Sequence, residues 1–92
     1  MHMAELIRDV VVRVKPGLTT GVARDLNNRI REYDCELTIE GEGGMVADAR
    51  SLFGLLILGI KEGDRVTVRS SGPDAGAAVD EVVLIFEGPG SG

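Results

Sequence analysis

The chain has 92 residues, enough for one compact core and not two, and 15 acidic against 10 basic side chains give it a net charge of −5. Hydrophobic content of 43% with 27% charged residues describes a globular chain, and no apolar run approaches the roughly 20 residues of a membrane span. A pI near 4.7 and only three aromatic residues, Tyr33, Phe53 and Phe86, exclude nucleic acid from the expected partners, since phosphate neutralisation needs clustered, unopposed Lys and Arg.

Met1-His2-Met3 sets two initiator-like methionines around the only His, so residues 1–4 read as an extension added in cloning, with no secretory signal expected. Leu6 to Val14 is β-branched and ends at Lys15-Pro16-Gly17, a turn signal; it predicts a first strand with Val10, Val12 and Val14 on one face. From Val22 the period changes. Val22, Leu26, Ile30 and Tyr33 form one helical stripe, and Arg24, Asp25, Asn28, Arg31 and Glu32 the opposite, solvated face.

Cys35, Leu37 and Ile39 then alternate with Glu36, Thr38 and Glu40, which predicts a second strand with one wet face. Cys35 is the only cysteine, so no disulfide framework or cysteine metal site is expected; a buried structural role in a reducing cytoplasm accounts for it. Gly41-Glu-Gly-Gly44 is a hairpin connection to a short antiparallel strand about Met45 to Asp48. Ser51 is the N-cap of a short helix, "SLFGLLIL", closed by Gly59. Its residues are apolar nearly all the way round, a pattern that predicts burial.

Lys61-Glu-Gly-Asp64 is a turn, Val66 and Val68 mark a fourth strand, and Ser70-Ser-Gly-Pro-Asp74 leads into a last helix. There Ala75, Ala78, Val79, Val82 and Phe86 make the buried stripe. The order βαββαβα predicts an α+β, open-faced two-layer β-sandwich, a four-stranded and mostly antiparallel sheet with three helices on one face. Residues 5–87 form the expected single domain and 88–92 a flexible tail.

Two stretches carry a family likeness. "PGLTTGVA" resembles the active-site loop of HPr, the histidine-containing phosphocarrier protein of the sugar phosphotransferase system, whose usual pattern is Gly-Leu-His-Thr/Ala-Arg-Pro-Ala. "ADARSLFGLLILGIKEGDRVTV" resembles that family's second signature, which begins Ala-Lys-Ser, together with its fourth strand. The likeness spans Glu5 to Glu87, with one inserted residue in the Gly41 to Gly44 turn, where extra length costs little.

Aligning Gly17-Leu18 with the family's Gly-Leu puts Thr19 at the phosphohistidine position, Gly21 at the supporting Arg and Val22 at the Pro. A carrier needs a nitrogen nucleophile whose phosphoramidate forms and breaks easily, whereas a Thr hydroxyl is not ionised at neutral pH and yields an ester, a poor donor. Losing the guanidinium also removes the planar clamp for a phosphoryl group. No catalytic residue is therefore expected. Thr19 or Thr20 reads first as a helix N-cap, with weak anion binding left to the backbone amides.

Ser51 matches the Ser that an ATP-dependent HPr kinase phosphorylates in low-GC Gram-positive bacteria, so the resemblance makes it a candidate regulatory site; a plain helix cap is the alternative. The resemblance also implies that Leu52, Phe53 and Leu56, with Thr20, Val22 and Ala23, form a partner face, while Leu55 and Leu58 point to the sheet. No metal-ligand spacing, catalytic triad or nucleotide loop is present, and neither cofactor nor metal is expected.

The implied function is a docking and regulatory module of the phosphoenolpyruvate:sugar phosphotransferase system, similar to catabolite-repression HPr (Crh), which also lacks the active-site His. Its expected partners are phosphotransferase-system enzymes, HPr kinase or a transcription regulator, without membrane insertion and as a monomer or weak dimer. Two other readings remain: a phosphocarrier using an atypical residue, and a self-associating α+β ligand-binding module whose Leu55-Leu-Ile-Leu58 segment drives a dimer.

Overall fold

The computed structural model describes residues 5–88; the Met1-His2-Met3 segment and residues 89–92 of the expected tail lie outside the described residues. The elements are β1 (Leu6–Val11), α1 (Thr20–Ile30), β2 (Glu36–Glu40), β3 (Val46–Asp48), α2 (Leu52–Ile57), β4 (Arg65–Ser71) and α3 (Ala75–Glu87). They follow the order read from periodicity. The sheet runs β1-β4-β2-β3, and every pairing is antiparallel.

The pleat sorts the strand residues into two faces. On one, Val10 stands opposite Val66, and Val68 opposite Ile39, which in turn faces Ala47. All five are buried under the helices with Leu26, Ile30, Leu55, Val79, Val82 and Phe86. Ser70, opposite Leu37, is the one buried polar residue among those described, and its hydroxyl donates to the Glu36 carbonyl at 2.9 Å, which removes the cost of an unpaired group.

The other face is mostly polar, with exposed Ile7 and Val46 on its edge strands: the rows are Ile7, Arg69, Thr38 and Asp48, then Asp9, Thr67, Glu40 and Val46. Thr67 Oγ1 donates to Asp9 at 3.0 Å, and Arg69 lies 3.6 Å from Glu5 and 4.0 Å from Glu40. Such a face needs no cover, so the sandwich is open.

β1 is shorter than the expected Leu6 to Val14 because the next three amides have other acceptors. Val12 N–H donates to the Asp64 carbonyl, and those of Arg13 and Val14 to the Phe86 carbonyl at the end of α3. Val10 and Val12 are buried as expected, and Val14 is half-buried against the core. All five residues predicted for the α3 stripe are buried. At the start of α3, Asp74 does not cap its own helix. Its carboxylate accepts from Asp34 N–H at 2.7 Å and its N–H returns a bond to the Asp34 carbonyl at 3.0 Å, tying α3 to the turn before β2.

Candidate functional site

The segment before α1 is held against the connection between α2 and β4. Leu18 N–H donates to the Ile60 carbonyl and Glu62 N–H to the Pro16 carbonyl, each at 3.0 Å. Gly17 sits at φ 133°, where a Cβ would stand 2.6 Å from the Ile60 oxygen and the Lys61 Cα, so the close approach requires glycine. Leu18 is buried, and the chain emerges at Thr19 with both Thr19 and Thr20 exposed.

Thr19 is the N-cap of α1. Its Oγ1 accepts from Val22 N–H at 3.3 Å and its carbonyl from Ala23 N–H at 2.8 Å, so the hydroxyl satisfies one of the free amides of the first turn. Gly21 is exposed and presents no side chain there. Neither position supplies a nitrogen nucleophile or a guanidinium.

Ser51 caps α2 in the same manner. Its Oγ accepts from Gly54 N–H at 3.0 Å and its carbonyl from Leu55 N–H at 3.0 Å, and the side chain is exposed. A Cβ on Gly54 would meet that oxygen at 3.0 Å and the Ala47 Cβ at 3.3 Å, which fits the absence of a side chain in this helix turn. The preceding Arg50 turns away from Ser51. Its guanidinium donates to the Cys35 and Tyr33 carbonyls at 2.8 Å each and to the Ile30 carbonyl at 3.4 Å, neutralising the C-terminal end of α1. Asn27 Nδ2 adds a bond to the Ala49 carbonyl at 3.3 Å, so α1 and the start of α2 are fastened together.

α2 is not buried all round. Phe53 is 81% exposed and Ile57 63%, Leu52 and Leu56 are half-buried, and only Leu55 lies in the core. A six-residue helix at the margin of the helical layer has room to bury a single turn-facing residue, and the rest of its apolar surface stays in water. Leu58 is half-buried and packed against the core. Ile57 was not among the expected partner-face residues; its position four after Phe53, on the same helical face, is the signal that points to it.

One residue assigned to the partner face by resemblance is placed otherwise. Ala23 is 0% exposed, because the first turn of α1 packs it into the core beside Leu26, so its side chain is out of a partner's reach. Val22 is half-buried, as Leu52 and Leu56 are, and keeps part of its surface in water. Thr20, Leu52, Phe53 and Leu56 retain accessible surface. Tyr33, expected in the α1 stripe, follows the helix end in a turn and is half-buried.

On its other flank α1 carries a chain of polar contacts. Arg29 Nε donates to Asp25 at 3.1 Å, its Nη1 to Glu81 of α3 at 3.2 Å, and Tyr33 OH to the second Glu81 oxygen at 3.1 Å. The hydrogen bond to Asp25, then that to Glu81, raises the Arg29 pKa and holds it charged. The bond to Glu81, aided by partial desolvation, raises the Tyr33 pKa above its usual 10.0. Cys35 is buried and free. Among the described residues no cluster of His, Cys, Asp or Glu has metal-binding geometry, and no helix is long and apolar enough to cross a membrane.

Comparison with known proteins adds three findings. Residues 6–88 match the family described as PTS HPr component phosphorylation site. The phosphocarrier protein NPr of Shewanella violacea is 35% identical over 85 residues, covering 92% of this chain and 92% of that protein, and the phosphocarrier protein HPr of Vibrio cholerae is 31% identical over 80 residues, covering 87% and 93%. The crystal structure of a phosphocarrier protein HPr from Bacillus anthracis str. Ames superposes with a TM-score of 0.86 over 90% of this chain and 98% of that one, at 25% identity.

Proposed function

The chain belongs to the HPr family of phosphotransferase-system phosphocarriers, and from that premise we propose that it is a docking and regulatory module of the system that does not carry phosphohistidine. One observation carries the reading. Thr19, at the family's histidine position, offers no ring nitrogen to form a labile phosphoramidate, and the guanidinium position is Gly21. The docking side of the proposal is supported by the apolar surface that α2 leaves in water at Phe53 and Ile57, with Leu52 and Leu56 behind it and Thr20 across on α1.

In this reading the protein works in the cytoplasm, without cofactor, as a monomer or weak dimer, and it resembles catabolite-repression HPr in logic. Ser51 is the proposed regulatory phosphorylation site: it is exposed, precedes the apolar face directly, and a phosphate there adds roughly two negative charges beside Phe53. Incubation with ATP and HPr kinase, followed by mass mapping, is expected to place one phosphate on Ser51. Phosphate elsewhere, or none, removes the regulatory part. Docking is tested by amide shift mapping with unphosphorylated Enzyme I: perturbations are expected at Thr20, Phe53 and Ile57, and perturbations confined to the open sheet face contradict it.

A further inference from the structure

A cleft of about 330 Å³ opens between α1, from Val22 to Arg29, and the end of α3. Its walls are Val14, Val22, Leu84 and Ile85, with Asp25 and Arg29 at one end. Three of the aliphatic residues rest on the core, but Leu84 is 52% exposed at the mouth, a large apolar side chain that the packing leaves in water. The volume lies at the low end of small-ligand sites, roughly 300–1,000 Å³, and the lining follows their usual pattern of apolar walls with a few polar groups.

The polar end decides the ligand's charge. Arg29 is already balanced by two carboxylates, Asp25 through Nε and Glu81 through Nη1, and this pinning fixes the wall in place. Asp25 receives Arg29 on Oδ1, while Oδ2 has no donor among the described residues. Asp25 and Arg29 are the charged residues of the lining, Glu81 meets Arg29 from outside it, and the three together leave one excess negative charge, which favours a cationic head over an anionic one. We propose that this cleft binds a compact amphipathic amine, its aliphatic or aromatic body between Val14, Val22, Leu84 and Ile85 and its ammonium donating to Asp25. Val22 also stands at the margin of the docking face, so a bound ligand sits where it can alter the start of α1.

The test is an amide shift titration of the full chain at low salt with 2-phenylethylamine and, separately, the near-isosteric anion 3-phenylpropionate. The amine is expected to give saturable shifts centred on Val14, Val22 and Ile85, with roughly threefold or greater preference over the anion, the scale of one exposed ion pair. Asp25→Asn is expected to abolish that preference, and Leu84→Gln to weaken both probes. Scattered or non-saturating shifts, or equal binding of the two probes by the unsubstituted chain, overturn the proposal. Neither outcome depends on the docking reading, because no partner protein enters the experiment.

Discussion

Thr19 spends its hydroxyl on the helix that it starts. An imidazole at that position would form a phosphoramidate that is easily made and broken, whereas the Thr19 hydroxyl, which receives Val22 N–H at 3.3 Å, could give only an ester, a poor donor. Its contribution is then to stability. Thr19→Ala is expected to cost about 1 kcal/mol in urea unfolding, the usual loss for a Ser or Thr N-cap, and to leave docking to Enzyme I unchanged. The identity of residues 19 and 21 was legible in the sequence once the loop was aligned. The reach of Arg50 was not. Its side chain spans to carbonyls 15 to 20 residues away, and only the folded chain brings Ile30, Tyr33 and Cys35 together beside it.

At the scale of elements, periodicity gave α3 its full buried stripe and gave the strands their faces, because a long amphipathic element has a signal that repeats. α2 has none. In "LFGLLI" every side chain is apolar or absent, so the sequence alone predicts burial, and which residues are exposed is decided by where α1 and β3 lie against it. The same limit explains Ala23, too small to mark a stripe yet wholly buried where α1 meets the core. The exposed and buried faces of α2 predict opposite responses. Phe53→Ser is expected to change unfolding free energy by no more than about 0.5 kcal/mol while abolishing docking. Leu55→Ala, which empties a core position, is expected to cost about 2–5 kcal/mol.

In the whole molecule, α1 is fastened on both flanks: to the start of α2 by Asn27 and Arg50, and to α3 through Arg29, Glu81 and Tyr33. The second fastening depends on pH. Tyr33 has its pKa raised in the fold, so the folded state holds the phenolic proton more tightly than the unfolded chain. Its stabilisation is complete below about pH 10 and is lost as the pH rises through the folded value. Thermal unfolding from pH 8 upward is therefore expected to show a steeper alkaline loss in the unsubstituted chain than in Tyr33→Phe. The order of elements along the chain and the helical cover were legible because β-branched alternation and turn residues agree at every step, whereas the strand order β1-β4-β2-β3 and the contacts between helices distant in sequence leave no local pattern. The central claim, a phosphocarrier fold that does not carry phosphohistidine, is tested most directly with phosphoenolpyruvate and Enzyme I, using a histidine-bearing HPr as control. The control is expected to take up acid-labile phosphate while this chain gains no mass; acid-labile phosphate appearing on this chain would contradict the account.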